Sequence, residues 1–355
     1  MSGIPIRIAA ASGFALLGLV SAAIGLWSVA ALLIAGSLGE PVRHVLAAAF
    51  AIASLIALIA LGSRRWRWRA LAVYLALFAA VLAWWLHIEP SNQRDWQADV
   101  ALLPRATIDG EIVTVHNIRN FDYRSETDFT PAWYDKRFDL RKLEAVDLVA
   151  VYWMGPAIAH TFLSFSFGDG DHLAISIETR KEKGEAYSTV KGFFRQYELY
   201  YVVADERDVI RLRTNYRHDP PEQVHVYRTR GSIESGRRLF MDYMREINAL
   251  NAQPEFYNTL TTNCTTNIWM HSNVNPGHVP FSWKILASGY VPQFLYEQDR
   301  LDARGLSFPE LQRRALVNAR AQAADTAADF SRRIRDADAV APAVAAPAAP
   351  SKNAP

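Results

Sequence analysis

The sequence predicts an α+β protein behind a membrane anchor, and three observations lead there. Three apolar runs fill the first ninety residues, period-two strand patterns follow, and helical periodicities come last. Strands in one block and helices in the next, without alternation between them, are the order of an α+β domain.

The apolar runs come first. Ile8 to Ile34 carries no charge, Val45 to Leu61 is a second run, and Ala70 to Leu86 is a third. A spanning helix needs about 20 apolar residues, or about 17 at the short end. None of the runs has the polar face of a soluble amphipathic helix. A secretory signal would show one short stretch and a cleavage site, not three stretches. Residues 1–90 are therefore expected to be a transmembrane region, with helices over roughly 8–34, 45–62 and 70–87.

The loops set the orientation. Arg64, Arg65, Arg67 and Arg69 crowd the second loop, whereas the first has Arg43 beside Glu40. Cytoplasmic loops are rich in arginine and lysine. The N-terminus is then expected inside, and everything after His87 outside, which in a Gram-negative cell is the periplasm. The expected location is the inner (cytoplasmic) membrane, with inner-membrane lipids as partners. No charge interrupts the spans to mark an ion path, so their expected role is anchoring.

Residues 91–335 have the composition of a globular domain, and the net charge of +2 does not point to nucleic acid. Residues 336–355 are mostly Ala and Pro and cannot build a core, so a disordered tail is expected there.

Within the globular part, Val100 to Leu143 reads as irregular and strand-rich, with a strand at Ile112–Val115. Val146 to Trp153 is a β-branched and aromatic run. Thr161–Phe167 and His172–Glu178 flank Gly168-Asp169-Gly170-Asp171. Two such runs around a Gly/Asp turn predict a β-hairpin. Tyr197–Val203, Val209–Leu212 and Val224–Tyr227 are expected to continue the sheet. Leu239, Phe240, Tyr243, Ile247 and Leu250 have helical spacing within a helix from Ile233 to Leu250. Another helix is expected to start near Cys264. A long last helix is expected from Phe308 to Ile334, opened by the capping-box pair Ser307 and Glu310.

Cys264 is the only cysteine, in Thr261-Thr262-Asn263-Cys264-Thr265-Thr266-Asn267. Cysteines outside the cytoplasm usually pair, and this one has no partner within the chain. Ser, Thr and Asn ahead of an apolar run mark a helix start. A thiol in a first helical turn has its pKa lowered by the helix dipole, and its own N–H can serve an oxyanion. A small buried hydrophobe is the alternative use of a lone cysteine. A thiolate nucleophile also needs a base. Among nine histidines, His160 and His172 begin the two strands of one hairpin and are the leading candidates.

These residues resemble a known family. Ala159 to Phe165, Ser176 to Arg180 and Asn263 to Asn267 look like the Lnb N-terminal periplasmic domain family, and Ile118 to Tyr123 fits it too. The resemblance spans roughly residues 105–290. That family takes its name from a lipoprotein N-acyltransferase thought to work through a cysteine thioester. The layout is also similar to permuted papain-like enzymes, of the NlpC/P60 and lecithin:retinol acyltransferase groups. The resemblance implies an antiparallel sheet with packed helices, Cys264 as nucleophile and His160 as base. His172, Glu178 and Ser176 compete for the third, orienting place. The spans here precede the domain, whereas in the named acyltransferase they follow it.

No HExxH or paired Cys/His spacing is present, so neither a metal nor a cofactor is expected. No GxSxG occurs to suggest a serine hydrolase. Arg180, Lys181 and Lys183 read as a solvated basic patch, with headgroup binding as the alternative. The function expected is a membrane-anchored cysteine acyltransferase or hydrolase acting near the bilayer on a lipid or lipoprotein, through an acyl-Cys264 thioester. A peptidoglycan amidase or peptidase and a non-catalytic periplasmic binding module are the alternatives.

Overall fold

The computed structural model describes residues 4–36 and 38–336. The expected tail lies, apart from Asp336, outside the described residues. The chain divides into two compact units. One comprises the residues up to Gln97 with Thr179–Tyr200 and Gln253–Asn263, and the other comprises the rest.

The first unit contains α1 (Ile4–Ile34), α2 (Glu40–Ala60) and α3 (Arg67–Leu86), all long and apolar enough to cross a membrane. Helix α2 starts five residues before the expected Val45. Pro41 explains this, because its fixed φ suits a first helical turn and its missing N–H costs nothing there. The three helices meet around Leu32, Ala47, Phe50, Ala57 and Tyr74. Gly25 allows the close approach: a Cβ there would lie 2.9 Å from Ser54 Oγ and 3.0 Å from Tyr74 Oη. Tyr74 donates to the Ser21 carbonyl at 2.8 Å. Small residues and interhelical hydrogen bonds are what hold helices together in lipid. Arg195 donates to the carbonyls of Trp85, Leu86 and Ile88 and so satisfies the C-terminal end of α3.

The basic patch is a correction. Arg180 is buried, with its guanidinium 4.2 Å from the Trp96 ring centroid, and it donates to Asn92 Oδ1 at 3.1 Å. Cation–π contact lets it leave water. Lys183 is exposed and paired with Asp95 at 2.6 Å.

The second unit is built on a sheet. The strands are β1 (Arg105–Asp109), β2 (Ile112–Arg119), β5 (Trp133–Asp139), β6 (Leu143–Tyr152), β7 (His160–Phe167), β8 (Asp171–Arg180), β9 (Glu198–Ala204) and β10 (Gln223–Arg228), of which Thr179–Arg180 and Glu198–Tyr200 are counted with the first unit. They run in the order β1-β2-β9-β8-β7-β6-β10, with β5 paired to β2. The short strands β3 (Asp122–Tyr123) and β4 (Phe129–Thr130) pair separately. The expected hairpin is β7–β8, closed at Gly168–Gly170, where Gly170 takes φ +79°. Glycine adopts that conformation without strain.

The sheet has two buried faces. On one, Phe165 and Phe167 meet Phe240 of α5 (Ile233–Ala252), with ring centroids 5.1 and 5.5 Å apart. On the other, Ser164 donates to Glu206 of α4 (Glu206–Arg211) at 2.5 Å. Residues 209–212, expected as a strand, belong to α4 and to the π-helical turn Leu212–Tyr216. Asp205 caps α4 by accepting from Arg207 N, and the buried carboxylates of its first turn have cationic partners. Those tertiary contacts override the β-branched pattern. Asp208 takes Arg119 at 2.7 Å, the Phe121 N–H at 2.7 Å and the Tyr123 hydroxyl at 3.2 Å. The segment Ile118–Tyr123 is thus a clasp on α4.

The remaining helices are α6 (Cys264–Ser272), α7 (Trp283–Leu286), α8 (Val291–Glu297), α9 (Phe308–Ala315), α10 (Asn318–Ala323) and α11 (Phe330–Arg335). The single long helix expected from Phe308 to Ile334 is therefore three. The Ser307–Glu310 capping box opens it as expected. Leu316 then turns extended and bridges to His225, and Val317 N donates to the Val224 carbonyl. An exposed edge strand attracts such pairing, and here it breaks the helix.

Candidate functional site

Cys264 opens α6 with its thiol half-buried, and His160 opens β7. The imidazole of His160 and the backbone N–H of Thr161 both favour the thiolate form of the sulfur. Thr265 Oγ1 lies 3.7 Å from it. Helix α6 is fixed from behind by His271, whose Nδ1 is 2.8 Å from Asp242 Oδ2 and whose Nε2 is 2.7 Å from the Tyr201 hydroxyl. That contact aligns the helix carrying the thiol.

His160 is oriented from the other side. Its Nε2 lies 2.7 Å from Ser176 Oγ and 3.4 Å from Glu178 Oε1, and Ser176 donates to Glu178 at 2.8 Å. Nε2 is thereby committed to β8. Arg213 Nη2 donates to Glu178 at 3.0 Å and Nη1 pairs with Glu222 at 3.3 Å. The site is thus a row of alternating charge: Cys264, His160, Glu178, Arg213, Glu222.

The charges explain the titration. Burial alone would lower His160, but the Cys264 thiolate, aided by Glu178, pushes it up to about 9. Burial alone would raise Cys264, but His160, the Thr161 N–H and the Thr265 hydroxyl bring it down to about 7. Glu178 is held well below the carboxylate range, against burial, by its hydrogen bond to His160 and by Arg213. Between about pH 7 and pH 9 the pair is therefore a thiolate facing an imidazolium, the reactive form of a cysteine nucleophile.

The four residues singled out in the sequence separate cleanly. Cys264, His160 and Glu178 come together, with Ser176 between the last two. His172 does not join them, which corrects its candidacy. The register pairs Ser166 with His172, next to the turn, and its Nδ1 lies 2.9 Å from the Gly170 carbonyl. In an antiparallel hairpin, two residues that begin their strands sit at opposite ends. The six residues from His172 to Glu178 span roughly 20 Å of strand. Arg213 and Glu222 have no signal in the sequence: Arg213 directly follows Val209–Leu212, which reads as a strand, and no motif includes Glu222. Among the described residues no cluster of His, Cys, Asp and Glu is arranged to hold a metal ion.

Residues 129–289 match the family model described as the Lnb N-terminal periplasmic domain. The matched stretch holds Cys264, His160, Ser176, Glu178, Arg213 and Glu222. Together with the three apolar helices ahead of it, the match fits an inner-membrane protein carrying a periplasmic domain. Neither a curated protein nor a solved structure matches the chain at a significant level.

Proposed function

For a chain that carries an Lnb N-terminal periplasmic domain, we infer a membrane-anchored, cysteine-dependent acyl-transfer function, acting on a lipid or lipoprotein. One observation carries this reading: the thiol of Cys264 is paired with His160, which Ser176 and Glu178 orient. Nucleophile, base and orienting group in hydrogen-bonded sequence are the requirement for covalent catalysis. A histidine strand ahead of a cysteine helix also suits the permuted papain-like layout.

In the first step the thiolate attacks an acyl carbonyl and forms a C–S bond. The oxyanion lies at the start of α6, where the Cys264 N–H and the helix dipole favour negative charge. The C–O or C–N bond then breaks, and the His160 imidazolium gives its proton to the departing alcohol or amine. In the second step neutral His160 takes a proton from an incoming amine or water, which attacks the thioester; the C–S bond breaks and the thiolate–imidazolium pair is restored. Glu178 stays ionised throughout and stabilises the imidazolium.

The test is mass spectrometry of Cys264 in protein recovered from membranes. An acyl adduct on the Cys264 peptide, absent in Cys264→Ser, is expected. A Cys264→Ser strain that retains full activity would end the enzyme reading in favour of a binding module.

A further inference from the structure

Within the first unit, the segment ahead of β9 leads back to the apolar helices. Phe194 is buried with its ring centroid 6.2 Å from that of Trp27, and Trp27 is 5.4 Å from Trp85. Trp27 lies seven residues before the end of α1, or about 10 Å along the axis. Trp85 is the last residue but one of α3. Two residues after Phe194, Gln196 sits against Gly36, where a Cβ would be 3.4 Å from its Nε2. The chain therefore runs back along α1 from Gln196 to Phe194, down to the level of the two tryptophans. Tryptophans near the end of a span mark the boundary between headgroups and hydrocarbon.

The residues beside Phe194 are apolar and uncovered. Val190, Phe193 and Leu260 are 57, 40 and 50 % exposed. Thr259 ties their two segments into one surface: its hydroxyl donates to the Thr189 carbonyl at 2.7 Å and its N–H to the Gly192 carbonyl at 3.3 Å. Gly192 permits that approach, because a Cβ there would collide with Thr259 Oγ1. Backbone donors of this surface are satisfied from within. Gly192, Phe193 and Phe194 donate to the carbonyls of Ser188, Val190 and Lys191, and Leu260 and Thr261 donate to Asn258 Oδ1. A segment whose N–H groups need no water can leave water at little cost.

We propose that Val190, Phe193 and Leu260 enter the lipid leaflet at that end of α1 and α3, at the boundary between headgroups and acyl chains, as a second membrane contact beside the spans. The occupant is lipid because the surface is continuous with the helices that lie in the bilayer: Phe194, next to Phe193, packs on Trp27, and Arg195 caps α3. Apolar side chains left in water there would forfeit hydrophobic free energy that the leaflet restores. Lys191, in the same turn, supplies a cation for the headgroup phosphates. Leu260 stands four residues ahead of Cys264, so the lipid contact and the nucleophile belong to one short stretch of chain. The proposal rests on the three helices being spans and not on the chemistry of Cys264.

The experiment uses the full chain in nanodiscs of phosphatidylethanolamine and phosphatidylglycerol, doped with a phosphatidylcholine that carries a diazirine on its acyl chain close to the ester carbonyl. After illumination, lipid adducts are mapped by peptide mass spectrometry. Adducts are expected on Val190, Phe193 and Leu260 as well as on the three helices. Adducts confined to the helices overturn the proposal. So does labelling of the three residues no stronger than the average over residues 98–178. These outcomes are read on the wild-type protein and need no variant to fold. Val190→Asp combined with Phe193→Asp places charge where apolar groups insert. It should lower adducts at residues 187–193 roughly tenfold relative to those on the helices. A folded double variant whose loop labelling is unchanged also overturns the proposal.

Discussion

Cys264 and His160 titrate against each other, so a pH profile reads their contact directly. The thiol is brought down to about 7 and the imidazolium pushed up to about 9. Alkylation of Cys264 by iodoacetamide should rise with pH through a midpoint near 7 and then level off. If the proposed acyl transfer from an alkyl ester or amide uses the imidazolium as acid, acylation should be bell-shaped, falling again above about 9. His160→Gln removes the cation that lowers Cys264, and the alkylation midpoint should move up by more than a unit. Glu178→Gln tests the positioning role separately. Glu178 helps raise His160, so its loss should move the alkaline limb of the bell down. It should also slow acylation by on the order of 100-fold, within the range for acid–base groups. His172→Ala should leave both limbs in place, since His172 sits at the turn end of the hairpin. A shift of the bell in His172→Ala would contradict the register.

The elements show what the sequence could and could not tell. The β7–β8 hairpin was legible because a Gly/Asp turn and two alternating runs agree, and the helix start at Cys264 because Thr and Asn precede it. That hairpin alone was enough to choose between Glu178 and His172. Pairing Ser166 with His172 sends His160 toward Glu178. Helix α4 was not legible, because the polar partners that favour it come from distant residues: Arg119 on β2 and Arg335 on α11. The break in the last helix depends on the free edge of β10 and leaves no local signal.

Helix α11 carries a prediction of its own. Arg335 pairs with Glu206 at 2.5 Å and with Asp147 at 2.8 Å, both carboxylates being buried. Arg335→Ala leaves Glu206 uncompensated, whereas Asp147 keeps Arg228. A cost of about 3–5 kcal/mol is expected, read as a lower urea midpoint. Burial would raise Glu206, but Arg335 holds it at about 2. A depressed carboxylate contributes stability that is full above its unfolded pKa and lost as pH falls through the folded one. Wild type should therefore lose this contribution progressively from about pH 4.5 down to about pH 2, and Arg335→Ala should lose much less of it over that window.

At the scale of the whole molecule, the side of the membrane decides what an unpaired cysteine means. Three spans and a periplasmic-type domain agree on the broad location, and the arginine distribution predicts a direction. Arg64, Arg65, Arg67 and Arg69 stand in the loop and first turn between α2 and α3, against Arg43 alone near the start of α2. With the N-terminus inside, as that distribution predicts, an odd number of spans would carry everything past α3 to the outside. Alkaline phosphatase folds only outside the cytoplasm, so a fusion after residue 100 should be active and a fusion within residues 64–66 inactive. The reverse pattern would put Cys264 in the reducing cytoplasm. A free thiol is ordinary there, and the compartment would no longer argue for its use. The hydrogen-bonded site would remain, so alkylation near pH 7 should survive either outcome and only its biological substrate would change.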